Sequence, residues 1–311
     1  MKTVVNIDNL SKKFGDFIAV NNITLSVNKG EIFGFLGPNG AGKSTTIKML
    51  CGILMPTGGK GSVLGFDIVS EQDKIKSNIG YMSQKFSLFG DLTVMENLSF
   101  FGSIYGLSDR MLKKRIKVVL EMSGIDKRKD ELVINLPVGI KQRLALGCAI
   151  LHDPDILFLD EPTSGVDPIM RRIFWEMIYS FSKAGKTIFV TTHYLDEAEH
   201  CNRIALIISG EIIALDSPEQ LKKSLEYDVF TIKVDNFIEI FDKISRVDFI
   251  EEAAIFGSDI HILCGKEVST AKEIKKLFGK MKISSYKLEK IMPSLEDVFV
   301  TSARKYDKIM L

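Results

Sequence analysis

Gly37-Pro38-Asn39-Gly40-Ala41-Gly42-Lys43-Ser44-Thr45 is the stretch whose reading decides the fold. It fits the spacing G-x-x-x-x-G-K-[ST], and its flanks make the match specific. Residues 31–36 before it read as a strand and residues 43–51 after it as a helix. Glycines let a backbone wrap closely around phosphate oxygens, in conformations that a Cβ obstructs. The free amides and positive dipole of the following helix favour a polyanion there. In such a loop Lys43 reaches the β- and γ-phosphates of a nucleotide, and the Ser44 hydroxyl ligates Mg2+.

A second acidic motif completes that chemistry. Ile156-Leu157-Phe158-Leu159-Asp160-Glu161 is an apolar strand that ends in two carboxylates. Asp160 suits the shell of a hard cation, which takes oxygen ligands. Glu161, one residue on, is free of the metal and is placed to orient or deprotonate an attacking water.

Outward from these motifs, short β-rich runs alternate with helical patterns, which reads as α/β. Residues 4–7 and 23–27 alternate as half-exposed strands. Residues 57–61 are rich in breakers and read as a turn. Thr93-Val94-Met95-Glu96 has capping-box spacing and starts a helix to about residue 105. A second helix is expected over 109–123. Residues 156–159, 187–191 and 204–208 are continuous apolar runs, as in strands buried on both faces of a parallel sheet. Ser217-Pro218-Glu219-Gln220 opens a helix that closes a first domain, 1–224. Residues 225–311 then follow the order β-α-β-β-α-β, a small ferredoxin-like α+β module. Two domains also suit 311 residues, more than one hydrophobic core usually holds.

Composition excludes several classes. Forty-one basic against 40 acidic side chains give a formal charge of +1, without the cationic excess that a nucleic-acid binder needs. No apolar run approaches the roughly 20 residues that span a bilayer. The N-terminus lacks the apolar stretch of a signal peptide. Cys51, Cys148, Cys201 and Cys264 form no C-x-x-C, which argues against a disulfide scaffold or a zinc site. The expectation is a cytosolic chain that borrows a partner for any work across a membrane.

The motifs together resemble the ATP-binding-cassette (ABC) ATPases, over about residues 1–220. Glu161-Pro162-Thr163-Ser164-Gly165-Val166-Asp167-Pro168 looks like that family's catalytic glutamate and D-loop, whose Asp167 acts across a dimer. Thr192-His193 looks like the switch histidine that contacts the γ-phosphate. Tyr81-Met82-Ser83-Gln84 looks like the Q-loop, with Gln84 sensing Mg2+ and water. Phe14 sits where the family stacks an aromatic ring on adenine. The resemblance implies a P-loop NTPase core with an N-terminal antiparallel β subdomain and an α-helical subdomain. It implies ATP and Mg2+ as ligands, the metal held by Ser44, Gln84 and Asp160. The implied partners are a second ATPase subunit, identical or a paralogue, and an ABC-2 type membrane permease. The chain would then lie on the inner face of the cell membrane.

The signature departs from the family pattern. The usual L-S-G-G is here Leu136-Pro137-Val138-Gly139. Pro137 has neither a hydroxyl nor an N–H to offer a phosphate, yet proline suits a helix start. The amides of Val138, Gly139 and Ile140 are then expected to face the anion. An L-P-x-G signature followed by Lys141-Gln142-Arg143-Leu144-Ala145-Leu146 resembles the multidrug-type ABC-2 exporter subgroup, as does Pro293-Ser294-Leu295-Glu296-Asp297-Val298-Phe299. Two rivals stand: a non-transport ABC ATPase, and a regulatory module that ATP clamps with little turnover.

Other features read as structure. Lys113, Lys114, Arg115 and Lys117 suggest a solvated helix face. Trp175 reads as packing, and His152, His200 and His261 lack metal-ligand spacing. Of Phe86, Phe89, Phe100, Phe101 and Tyr105, some belong to a core. One or two are expected to line the groove that, by resemblance, receives a transporter's coupling helix.

Overall fold

The structure is a computed structural model and describes residues 2–84 and 88–310. The chain divides into two compact units, Met1–Pro218 and Glu219–Leu311. The division falls at the start of a short helix, six residues before the boundary expected at 224/225.

The first unit opens with β1 (Thr3–Phe14), β2 (Phe17–Asn28) and β3 (Ile32–Leu36), then α1 (Lys43–Leu50). There follow β4 (Gly58–Val63), β5 (Phe66–Asp67), α2 (Gln72–Asn78) and β6 (Ile79–Met82). Three helices come next: α3 (Val94–Ile104), α4 (Asp109–Ser123) and α5 (Val138–Ala149). The unit ends with β7 (Ile156–Asp160), α6 (Pro168–Lys183), β8 (Thr187–Thr192), α7 (Leu195–Ala198), β9 (Arg203–Ile208) and β10 (Glu211–Asp216). The helix α8 (Pro218–Lys223) spans the division.

Two sheets build this unit. One is antiparallel, in the order β2-β1-β4-β5; the other runs β10-β9-β3-β8-β7-β6. In the second, β3, β6, β7, β8 and β9 are parallel and β10 folds back on β9. Every residue of β3, β7 and β8 is buried, as expected of strands covered on both faces. The ring of Phe189 lies 5.2–5.7 Å from those of Phe33, Phe35 and Phe158 and centres the core. Because β3, β8, β7 and β6 are neighbours and parallel, the loops leaving their carboxyl ends meet at one rim. Such a rim is where open α/β sheets bind ligands.

The expected turn at 57–61 is instead part of a strand. β4 pairs with β1, with Ile7 opposite Gly61 and Ser11 opposite Gly58. Glycine is needed there for close approach: a Cβ on Gly59 would stand 2.2 Å from the Asn9 carbonyl oxygen, at a φ of +81°. Glycines that read as breakers in sequence here let two strands press together at a bulge.

The three helices α3, α4 and α5 pack on one another. Thr93 and Glu96 form the expected capping box at α3: Glu96 N–H donates to Thr93 Oγ1 at 3.2 Å and Thr93 N–H to Glu96 Oε2 at 2.8 Å. The basic run on α4 is not uniformly solvated. Arg115 donates to the carbonyls of Ile150 and Leu151, both at 2.7 Å, and so ties α4 to the end of α5. Lys113, Lys114 and Lys117 are exposed.

The second unit contains β11 (Tyr227–Val234), α9 (Phe237–Ile244), β12 (Ile250–Phe256), β13 (Asp259–Gly265), α10 (Thr270–Lys280) and β14 (Tyr286–Ile291). Its antiparallel sheet runs β12-β13-β11-β14, the split arrangement of a β-α-β-β-α-β unit. Ile232, Ile240, Ile262, Ile274 and Phe278 form its core. The sequence reading stopped short of a last helix, α11 (Leu295–Met310). It is opened by a Ser294–Asp297 pair: Ser294 N–H donates to Asp297 Oδ2 at 2.7 Å and Asp297 N–H to Ser294 Oγ at 3.2 Å.

Candidate nucleotide-hydrolysis site

The phosphate loop connects β3 to α1. Gly42 caps the helix with φ +101°, and a Cβ there would stand 2.4 Å from the Ala19 carbonyl oxygen. Gly37 is pressed as closely on Ile207, and its N–H donates to the Thr192 carbonyl at 3.3 Å. Only glycine fits at either position. The loop tip, Pro38, Asn39 and Gly40, is exposed, while Ala41 is buried. Lys43 is 4% exposed, and its ammonium donates to the carbonyls of Gly37 at 2.8 Å and Pro38 at 3.0 Å. The cationic group is thus held inside the curl of the loop, where an anion would be wrapped.

Asp160 and Glu161 leave the end of β7 beside it. Ser44 Oγ donates to Asp160 Oδ1 at 2.9 Å, and Thr191 Oγ1 from β8 donates to the same oxygen at 2.7 Å. Burial raises the Asp160 carboxyl above its ordinary range, with the two hydroxyls pulling the other way and the charge of Glu161 adding to the rise. Removing such a buried carboxylate from water is costly, and a bound cation would offset that cost.

Three groups converge on the Glu161 carboxylate. Lys43 Nζ lies 3.0 Å from Oε1; Gln84 Nε2 donates to Oε2 at 3.0 Å; His193 Nδ1 lies 3.2 Å from Oε2. The residue has φ +47°, a left-handed backbone that a non-glycine side chain rarely adopts. Thr191 holds it there: the Glu161 N–H donates to Thr191 Oγ1 at 2.9 Å. A carboxylate kept in a strained backbone and ringed by polar groups is suited to gripping a water molecule.

A cavity of about 300 Å³ opens over this cluster, lined by Phe14, Phe17, Asn39, Gly40, Gly42, Lys43, Ser44, Thr45, Gln84 and Glu161 among others. Phe14 is 49% exposed and pairs across the β1–β2 turn with Phe17, which is 63% exposed. The sequence resemblance points only to the first of these two rings. Leu136, Pro137, Val138, Gly139 and Asp167 do not line this cavity. Asp167 caps α6, its Oδ1 accepting from the N–H groups of Ile169 at 3.1 Å and Met170 at 3.0 Å. Leu136 is buried, whereas Pro137 and Val138 are exposed at the start of α5. One detail corrects the expectation there. The Ile140 N–H donates to the Pro137 carbonyl at 3.0 Å, so Val138 and Gly139 alone keep their amides for an outside anion.

The profile described as "ABC transporter" matches residues 20–164, and one described as "AAA domain, putative AbiEii toxin, Type IV TA system" matches 136–195. The chain is 52% identical over 221 residues to the probable multidrug ABC transporter ATP-binding protein YbhF of Escherichia coli K12. That match takes in 71% of this chain but only 38% of the relative, so the chain spans well under half of YbhF. It is 34% identical over 301 residues, 96% of each chain, to the Nod factor export ATP-binding protein I of Rhizobium sp. N33. The chain belongs to the ABC transporter ATP-binding family. Nucleotide-binding cassettes of this family bind and hydrolyse ATP. Among solved structures, the cassette resembles the dimeric MJ0796 in a post-hydrolysis state bound to ADP and Pi. Their TM-score is 0.63 at 26% identity, over 68% of this chain and 98% of that one.

The cassette's oxygen donors fit a hard cation: Ser44 Oγ and Asp160 Oδ1 are already in contact, with no sulfur or imidazole between them. Sequence reasoning missed Phe17 and Thr191. Phe17 follows a turn glycine by two positions, a signal that was available. Thr191 is an ordinary residue type thirty positions from Glu161 and shows itself only through contacts. Phe89, Phe100 and Phe101 form one aromatic cluster, with Phe89 and Phe100 rings 4.7 Å apart and each 41% exposed. Tyr105 stacks on His152 instead, at 3.7 Å. Phe86 lies outside the described residues. Trp175 is buried on α6, as expected.

Proposed function

We propose that this chain is the ATP-hydrolysing subunit of an ABC-2 type exporter for a lipophilic, drug-like substrate. It acts as one of a pair of cassettes, homodimeric or with a paralogue, against the inner face of the membrane beside a separate permease. Among the described residues no helix is long and apolar enough to cross a membrane. The observation that carries the reading is the convergence of Lys43, Gln84 and His193 on Glu161, next to the Ser44–Asp160 contact.

In this reading each ATP lies between residues 37–45 of one chain and residues 136–139 of the other, with Asp167 reaching across the pair. Phe14 and Phe17 offer faces for the adenine. Lys43 and the loop amides neutralise phosphate charge. Ser44, Asp160 and Gln84 would hold Mg2+, which would supply positive charge against the charge developing on the phosphates. Glu161 accepts the proton of the attacking water, held in place by Gln84 and His193. The exposed Phe89 and Phe100 beside the Q-loop segment form an apolar surface for an amphipathic coupling helix. The names of the relatives, multidrug, Nod factor export and linearmycin resistance, support export.

Affinity purification of the tagged chain from membranes tests this. Recovery of one integral membrane permease whose addition raises phosphate release supports it; recovery with ribosomes or DNA, and no permease, refutes it. The second reading, a clamp with little turnover, is favoured by Pro137 and by the Ile140 amide's use within the helix. Steady-state phosphate release with the permease present separates the two.

A further inference from the structure

Glu197 is the most deeply buried carboxylate among the described residues outside the site itself, at 1% exposed, and none of the roles above uses it. It sits on α7, four residues after His193. Its two oxygens face different segments. Oε1 accepts a hydrogen bond from Thr163 Oγ1, two residues beyond Glu161. Oε2 accepts from Thr192 Oγ1 at 2.8 Å, the residue just before His193. Thr192 Oγ1 in turn accepts from the Tyr194 N–H at 2.9 Å, so both flanks of His193 are held by one hydroxyl. Arg171, one turn into α6 from Asp167, brings its Nε to 3.5 Å from Glu197 Oε1. The same guanidinium lies 4.1 Å from the centre of the Tyr194 ring, whose own centre is 4.1 Å from that of His193.

An unpaired carboxylate at this depth would be strongly destabilising. Both of its oxygens are satisfied here, and by groups from three segments that all bear on hydrolysis. We infer that Glu197 is a positioning residue for ATP hydrolysis: with Thr163, Thr192 and Arg171 it fixes the separation of His193 from Glu161 and links that separation to the D-loop and α6. The inference rests on the roles proposed for Glu161 and His193. A carboxylate is the right group for the position. It accepts two hydroxyls at once and draws in a cation, whereas an amide in the same place turns one acceptor into a donor facing a hydroxyl.

The test uses the full chain. Glu197→Gln is expected to lower kcat about tenfold or more while leaving KM for ATP within a small factor, because a misplaced catalytic group costs rate rather than binding. The chain has four histidines, so their ring proton NMR signals are few enough to resolve. Those of His193 should move in the variant, and those of His261 should not. Thr163→Val should show the same loss of kcat, and Thr163→Ser, which keeps the hydroxyl, should recover most of it; this pair decides the matter if Glu197→Gln fails to fold. Wild-type kcat in folded Glu197→Gln or in Thr163→Val, or a His193 signal that stays put, overturns the inference. Glu161→Gln runs alongside. If that control hydrolyses ATP normally, the site assignment itself falls; if it is inactive while Glu197→Gln is normal, only this inference falls.

Discussion

The ammonium of Lys43 and the carboxylate of Glu161 lie 3.0 Å apart, and both side chains are almost wholly buried. One belongs to the phosphate loop and the other to the end of β7, so this contact joins the group proposed to neutralise a nucleotide to the group proposed to activate water. Breaking a buried pair from one side leaves an uncompensated charge, at about 3 kcal/mol or more.

Lys43→Ala should therefore lose both nucleotide affinity and thermal stability, and Lys43→Ala/Glu161→Gln should regain part of the stability but none of the turnover. Glu161→Gln alone should keep ATP binding, lose hydrolysis by roughly 10²–10⁴-fold and accumulate a closed dimer. Calorimetry, ATP titration and gel filtration check these outcomes. A double variant no more stable than Lys43→Ala would contradict the pairing.

Asp160 makes a prediction of opposite sign for stability and function. Burial raises its carboxyl above the usual range, so the folded chain holds that proton more tightly than the unfolded chain does. Its contribution is most favourable below the ordinary carboxylate range and is lost as pH rises through the raised value. At neutral pH the ionised group is a cost. Asp160→Asn should raise the melting temperature in chelator-treated protein while lowering hydrolysis by roughly a hundredfold or more. A lower melting temperature would show that the carboxylate is not under desolvation strain.

His152 sets a window in acid. Burial pushes its imidazole down to about 4, against the lesser pull of the Ile79 carbonyl. The unfolded chain takes up that proton near pH 6.5, so stability is lost as pH falls from there towards 4. His152→Phe keeps a ring against Tyr105 and removes the titration. Its melting temperature should fall less than the wild type's between about pH 7 and about pH 5. Equal drops would count against the assignment.

Phe14 and Phe17 present two exposed rings at one turn. Stacking on a base contributes about 1–3 kcal/mol, so Phe14→Ala should weaken ATP binding by roughly fivefold or more. Phe17→Ala should show which ring bears the adenine, and Phe14→Ala/Phe17→Ala should lose the preference for ATP over inorganic triphosphate. Fluorescent-nucleotide titration measures all three.

The parts of the site that sequence reveals are those whose constraint is local. Residues 37–45 must be what they are because one turn of backbone needs them side by side, and the apolar run before Asp160 announces a buried strand. Thr93 and Glu96 are legible for the same reason. Thr163, Arg171 and Glu197 are not, since a hydroxyl, a cation and a carboxylate scattered over three segments look like surface residues until the parallel strand order brings β7 and β8 together. Gly58, Gly59 and Gly61 mislead in a different way. Glycine breaks strands by default, and only the tight passage of Gly59 against Asn9 and of Gly61 against Ile7 reveals why they belong to one. Ser294 and Asp297 carry a readable helix start that lay beyond the last element anticipated.

The positive φ of Glu161 sets heat resistance and throughput against each other. A selection for thermostable variants would reward glycine or asparagine at that position only when Lys43 is neutralised with it, because the double change relaxes the backbone without leaving a buried charge unpaired. Every such winner would be a sturdier protein that no longer works as an engine.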